Sequence, residues 1–215
     1  MATSREPARE FTFDASVAPF SVSLKTYLAT HPEFDAVATG GLIFTTGDPS
    51  TDTSGDGGTK TMTKQTTRRL LLIQRAAHDS MPSRWEVPGG ACDPGDATLL
   101  HGLARELWEE TGLVMRHIIA RVGLGGAAGH DLGKGAEDGA VFFSRRGHRI
   151  IKYSFAVEVE RPSEIVIDPN EHQRYLWATE SECAAGRVGD VDIQFTMEQQ
   201  MATIMEGFRL MQGSM

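Results

Sequence analysis

Glu106, Glu109 and Glu110 are the residues of this chain whose type and spacing point most directly to chemistry. On a helix turning ~100° per residue they span an arc of about 100°, and Leu100, Leu103 and Leu107 take the neighbouring arc. One face is then anchored in a core while the carboxylates stand beside it. Like charges at i, i+4 are mildly unfavourable on a helix, and partial burial raises that cost. Only Arg105 lies close enough in sequence to offset them. A hard divalent cation resolves the crowding, because Mg2+ takes carboxylate oxygens together with water and phosphate. A solvated acidic face is the plain alternative, and the flanking residues argue against it.

Those flanks are Trp85-Glu86-Val87-Pro88-Gly89-Gly90 before the acidic stretch and Gly112 after it. Paired glycines let a backbone approach itself or a ligand closely, and Gly112 suits the left-handed cap that ends a helix. Asp96 stands where an N-cap accepts orphan amide hydrogen bonds. Together these residues form a pattern: Gly90, five residues, Asp96, eight residues, then Arg105-Glu106-Leu107-x-Glu109-Glu110-x-Gly112-Leu113. The segment from Trp85 to Leu113 resembles the Nudix box. Two departures stand out. Asp96 replaces the usual Glu, and the spacer that follows is eight residues where the family has seven. The extra residue falls in the loop or at the helix start, leaves the Arg-Glu-x-x-Glu-Glu segment in register, and leaves Asp96 with a cap or loop-fixing role.

The resemblance implies an α/β/α sandwich with a mixed β-sheet, and hydrolysis of a diphosphate linked to another moiety with Mg2+ or Mn2+ and water. Glu106, Glu109 and Glu110 match the family's metal-binding acids, and Arg105 matches the arginine that orients a box glutamate. Glu106 or Glu109 is the candidate general base. Glu137, Asp138 and Glu171 are later-loop candidates for the same role, or ordinary surface acids. Gly89, Gly90, Glu86 and Arg75 are candidate substrate contacts, with Trp85 in the core. A Nudix-fold binding module without catalysis is the rival reading, and the presence of all three box acids argues against it.

Composition narrows the partners. Twenty-nine acids against 21 bases in 215 residues give a net charge of −8, which opposes broad binding to nucleic-acid backbone. A small diphosphate remains open where a metal ion or a local basic patch screens it. No apolar run reaches the ~20 residues of a membrane helix, and Met1–Phe13 has no apolar signal core, so a cytoplasmic protein is expected. Cys92 and Cys183 are too few for a disulfide scaffold or a Cys-rich zinc site; one bridge between them stays open. The histidines show no metal-binding spacing. The oligomeric state stays open, a homodimer included.

Positioning these residues requires strands and helices in irregular alternation, a mixed α/β class in one domain. Residues 1–20 read as an irregular arm and 21–215 as the domain. A short helix is expected over 21–30, with strands over 37–45, 69–75, 85–88, 114–122 and 174–178. The box helix is expected over 97–111. A hairpin-like pair covers 141–143 and 149–159, and helices follow from about Glu180 and over 195–211. Residues 46–67, rich in Thr, Gly, Asp and Ser, read as a flexible insertion between strands, and 123–139 as a second loop. Arg145, Arg146, His148, Arg149 and Lys152 read as a solvated turn or as a clamp on substrate phosphates.

Overall fold

In the computed structural model of the chain, the residues described are 10–47, 67–124 and 139–213. Two long strands form the centre. β2 (Ala36–Thr46) and β7 (Arg149–Val159) run parallel, with Ala36 opposite Ile150 and Ile43 opposite Val157. Alternation of their side chains divides the molecule into two layers of core. Val37 and Ile43 with Ile151, Tyr153, Phe155 and Val157 face one way, whereas Leu42 and Ala156 face the other. β5 (Met115–Val122) and β6 (Ala140–Phe143) both pair antiparallel with β7. β3 (Arg68–Arg75) joins the end of β2 and pairs antiparallel with both β8 (His172–Thr179) and β4 (Trp85–Glu86).

Helices cover both faces of this mixed sheet. On the first lie α1 (Leu24–Thr30) and α2 (Leu99–Thr111), which bury Leu24 and Tyr27, and Leu99, Leu100, Leu103 and Leu107. On the second lie α3 (Glu180–Ala185) and α4 (Glu198–Gln212), which bury Cys183, Ile204 and Phe208. The architecture is the α/β/α sandwich expected from the sequence. A small ribbon, β9 (Arg187–Val188) and β10 (Val191–Asp192), links α3 to the approach to α4. None of the described helices is long and apolar enough to cross a membrane.

Several boundaries differ from the sequence reading. Residues 10–20 are not irregular: β1 (Thr12–Phe13) pairs in parallel with β5, and a 3-10 helix over Ala15–Phe20 buries Val17. Aromatic packing explains the order, because Phe20 stacks edge-on against Tyr153 and Phe155. The box helix starts at Leu99, two residues later than expected, since the Thr98 hydroxyl caps it by accepting from the His101 amide. The strand over 85–88 ends at Glu86, and β8 begins at His172 instead of Arg174. The methionine stripe of α4 is only half-buried, and Ile204 and Phe208 carry its contact with the sheet. Cys92 and Cys183 are both free and belong to cores on opposite faces of the sheet, which closes the question of a bridge. Burial pushes both thiols up to about 12, so neither is a ready nucleophile. Nearly all of the 46–67 insertion lies outside the described residues.

Candidate functional site

The acidic residues converge because the glycine turn after β4 is laid along β2. Gly41 N–H donates to the Pro88 carbonyl and Thr39 N–H to the Gly90 carbonyl, both at 2.8 Å, and Cys92 N–H donates to the Val37 carbonyl at 2.9 Å. Gly89 has φ +139°, and a Cβ there would lie 2.7 Å from the Gly40 Cα and closer still to the Thr39 carbonyl. Only glycine permits that conformation and that approach. At Gly90 a Cβ would lie 2.6 Å from Glu106 Oε2. At Gly90 the turn backbone therefore faces the Glu106 carboxylate of α2 directly.

Glu110 is 5% exposed and accepts the Gly89 N–H at 2.6 Å. Burial, which outweighs that hydrogen bond, raises its pKa well above the ordinary range, and the charges of Glu86 and Glu106 push the same way. Burial also raises Glu106, against the pull of Arg105. Glu86 goes the other way. Burial tends to raise it, but a hydrogen bond from His172 and the charges of Lys152, Arg75 and His172 outweigh that and leave it lowered. Glu109 is half-exposed at the rim.

Two arginines organise the acids. Arg105 Nε and one terminal nitrogen each lie 3.0 Å from the two Asp96 oxygens; the other terminal nitrogen donates to Glu106 at 2.8 Å and Glu109 at 2.9 Å, and the Ala91 carbonyl accepts at 2.9 Å. Asp96 thus has the loop-fixing role, not the cap: its carboxylate also accepts the Asp93 N–H at 2.7 Å. Arg75, expected as a substrate contact, is engaged with Glu86 at 2.7 Å, Asp79 and the Ser80 carbonyl. It holds Glu86 in place. Gly89, expected in the same role, gives its N–H to Glu110, and Glu86 lies buried behind the turn.

The loop entering β8 completes the cluster. Its backbone is tied to the end of α2, with Val166 N–H donating to the Thr111 carbonyl and Asp168 N–H to the Glu110 carbonyl. Asp168 in turn accepts the amides of Glu171 and His172 through its carbonyl. Glu110, Glu171 and His172 consequently place one ligand atom each within 4.8 Å of one another. His172 is 1% exposed; its Nε2 lies 3.3 Å from Glu86 and 3.8 Å from Glu110, and its Nδ1 is buried with no hydrogen-bond partner. Sequence reasoning passed over His172, since the only signal was its position beside Glu171. Glu106 and Glu109 lie outside that closest trio. Glu137 and Asp138 fall outside the described residues.

Buried Glu110, exposed Glu171 and buried His172 thus form a group of oxygen and nitrogen donors that could hold a divalent cation. A family model described as NUDIX domain matches residues 61–198, more than half of the chain. The chain belongs to the Nudix family. Over 50 residues it is 44% identical to an RNA pyrophosphohydrolase of Psychrobacter sp. (strain PRwf-1), a match covering 23% of this chain and only 26% of that relative. Among solved structures, a C. elegans Ap4A hydrolase in a binary complex aligns with a TM-score of 0.52 at 14% identity, over 83% of this chain and 98% of the other. A MutT protein from Methanosarcina mazei Go1 aligns with a TM-score of 0.51 at 17% identity, over 81% and 94%. At such identities the likeness is one of fold. The resemblance of the Trp85–Leu113 segment to the Nudix box thus sits within a matching Nudix fold.

Proposed function

We propose that this Nudix protein hydrolyses a phosphoanhydride bond in an organic diphosphate, such as a nucleoside diphosphate linked to another moiety, with Mg2+ or Mn2+. The observation that carries the reading is the convergence of Glu110, Glu171 and His172 behind the glycine turn, with Glu106 and Glu109 on the same helix. A buried carboxylate such as Glu110, with no arginine or lysine bonded to it among the described residues, is costly unless a cation neutralises it. Glu110, Glu171 and His172 would hold one such ion, and Glu106 and Glu109 are placed to share others. A bound divalent ion neutralises diphosphate oxygens and acidifies water.

The chain's own residues supply the rest. Glu106, its pKa raised mainly by burial, is suited to take the proton of the attacking water at Oε2, the oxygen turned toward Gly90. Arg105 fixes Glu106 through Oε1 and keeps Glu109 on the same side. Gly89 and Gly90 let the turn pack on β2 and face Glu106 with no side chain of their own in between. Screening by cations accounts for an acidic protein binding an acidic substrate.

The test is a panel of nucleotide sugars, dinucleoside polyphosphates, oxidised nucleoside triphosphates, prenyl diphosphates and a 5′-triphosphorylated oligoribonucleotide. The last is included because of the name of the Psychrobacter relative. Release of phosphate or a nucleoside monophosphate from at least one of them, dependent on Mg2+ or Mn2+ and stopped by chelation, is the expected result. Inactivity on every class with both metals would favour a binding module on the same fold.

A further inference from the structure

Outside the acidic cluster, one charged feature is unaccounted for. At the end of the β6–β7 hairpin, Arg145, Arg146 and His148 are exposed, and so is the ring of Phe143, at 67%. Exposed arginines elsewhere, such as Arg161, Arg187 and Arg209, each pair with an acid three residues away. Arg145 and Arg146 have no such partner among the described residues. In a chain of net charge −8, two adjacent unpaired arginines beside a bare aromatic ring run against the general trend.

The turn that presents them is held firmly. Ser144 N–H donates to the His148 carbonyl and Gly147 N–H to the Ser144 carbonyl, both at 2.9 Å. His148 N–H donates to the Ser144 hydroxyl at 3.1 Å, and Gly147 closes the turn in the left-handed region, at φ +81°. A ligand bound here therefore has little backbone to order. The same hairpin leads back to the acidic cluster. Lys152 lies opposite Ala140, roughly 10–15 Å along the strands from the turn. Its stem crosses β2 so closely that a Cβ at Gly40 would lie 2.9 Å from its Cε, and its charge acts on Glu86 and Glu110. Lys152 is thus the inner end of a cationic track, and the turn is its outer end. Phe143 stands opposite Arg149, on the other face of the sheet from Lys152. A ligand that reaches all of these groups must be a chain that rounds the turn.

We infer that the β6–β7 hairpin grips a single-stranded RNA whose 5′ phosphates lie at the acidic cluster, with Arg145 and Arg146 on backbone phosphates and Phe143 stacked on a base. Guanidinium groups pair with phosphate oxygens, and an aromatic ring among cationic groups is suited to an unpaired base. A small polyphosphate would use the arginines and leave the ring in water; an apolar diphosphate would use neither. RNA is favoured over DNA because a chain begun from a nucleoside triphosphate carries a 5′ phosphoanhydride. The negative charge of the whole protein confines the grip to a few nucleotides. The inference rests on the proposed hydrolase reading for the place of the 5′ phosphates.

The experiment measures binding to the full chain, in Mg2+, of a 3′-labelled, 5′-monophosphorylated octauridylate, which has no phosphoanhydride to cleave. Fluorescence anisotropy reads the octamer, and calorimetry reads UMP. The octamer is expected to bind at least about tenfold more tightly than UMP. Arg145→Gln combined with Arg146→Gln is expected to weaken the octamer by about tenfold and to make the slope of log affinity against log salt shallower by about 1.4, the loss of two phosphate contacts on a single strand. Phe143→Ala is expected to weaken it by about fivefold and leave the salt slope unchanged. Affinity for UMP should stay the same in both variants. All three side chains are exposed, so the fold is kept, and unchanged melting temperatures check this. An octamer held no more tightly than UMP, or equally well by the variants, overturns the inference. So does tighter binding of the matching octadeoxynucleotide, or binding of phosphatidylserine vesicles through these arginines with none of RNA. A protein that binds RNA through the hairpin but cleaves no diphosphate overturns the proposed activity alone; a diphosphatase whose hairpin ignores RNA overturns this inference alone.

Discussion

Glu110→Gln is expected to lower turnover by at least about 100-fold, on the scale of losing one charged group from a preorganised centre, while leaving the metal-free protein as stable as the original or more so. The two effects separate a functional carboxylate from a structural one. The amide oxygen of the substituted side chain can still accept the Gly89 N–H, so the turn keeps its anchor. What disappears is a buried charge whose pKa burial has raised. The sign follows from linkage. A carboxylate with a raised folded pKa contributes stability that is fully present below its unfolded pKa, near 4.5. That contribution is lost as pH rises through the folded value. In chelator, the melting temperature of the variant relative to the original should therefore climb from about pH 4.5 upward. Thermal melts between pH 4 and pH 8, with and without Mg2+, read this directly. A variant that melts well below the original in chelator at pH 7, or that retains full turnover, would remove Glu110 from the metal site.

Arg105→Met is expected to damage stability and activity together. Its guanidinium bridges Asp96, Glu106, Glu109 and the Ala91 carbonyl, and the side chains of Asp96 and Glu106 are 8% and 14% exposed. Removing one partner of a buried pair strands the other charge, at about 3–5 kcal/mol. Because Arg105 is itself about one-fifth exposed, solvent screening discounts this to about 2–3 kcal/mol. In a protein of this size that corresponds to a melting point lower by on the order of 8 °C. Turnover should fall as well, since Glu106 and Glu109 lose their common anchor. Lysine at this position should rescue little, because a point charge cannot make the two parallel bonds to Asp96. A calorimetric scan of Arg105→Met matching the original would show the bridge to be an exposed, energetically idle pair.

The helix and its acids were legible because they are local. Leucines at Leu100, Leu103 and Leu107 with Gly112 behind them mark a face and an end, and the glutamates follow from the same periodicity. The fate of the extra spacer residue was half-legible. The turn that absorbs it closes with Asp96 N–H donating to the Asp93 carbonyl at 3.0 Å, and this swings Asp96 toward Arg105, a contact nine residues away that no local pattern encodes. His172 was not legible at all. Its place beside Glu86 depends on the register of β8 against β3, where Arg75 faces His172 across a bulge, and on a loop tied to the end of α2. The engagement of Arg75, a candidate substrate contact, was not legible either, because it depends on strand pairing that puts Glu86 next to Ile73 and so within reach of Arg75.

The short parallel pairing of Thr12 and Phe13 with His117 and Ile118 carries a consequence for handling the protein. That strand shields the outer rim of β5, and rims left bare recruit other chains. A version trimmed to begin at residue 21 should keep its acidic cluster, melt earlier and sediment as self-associated species. A trimmed protein that stays monodisperse at high concentration would mean that the rim protects itself.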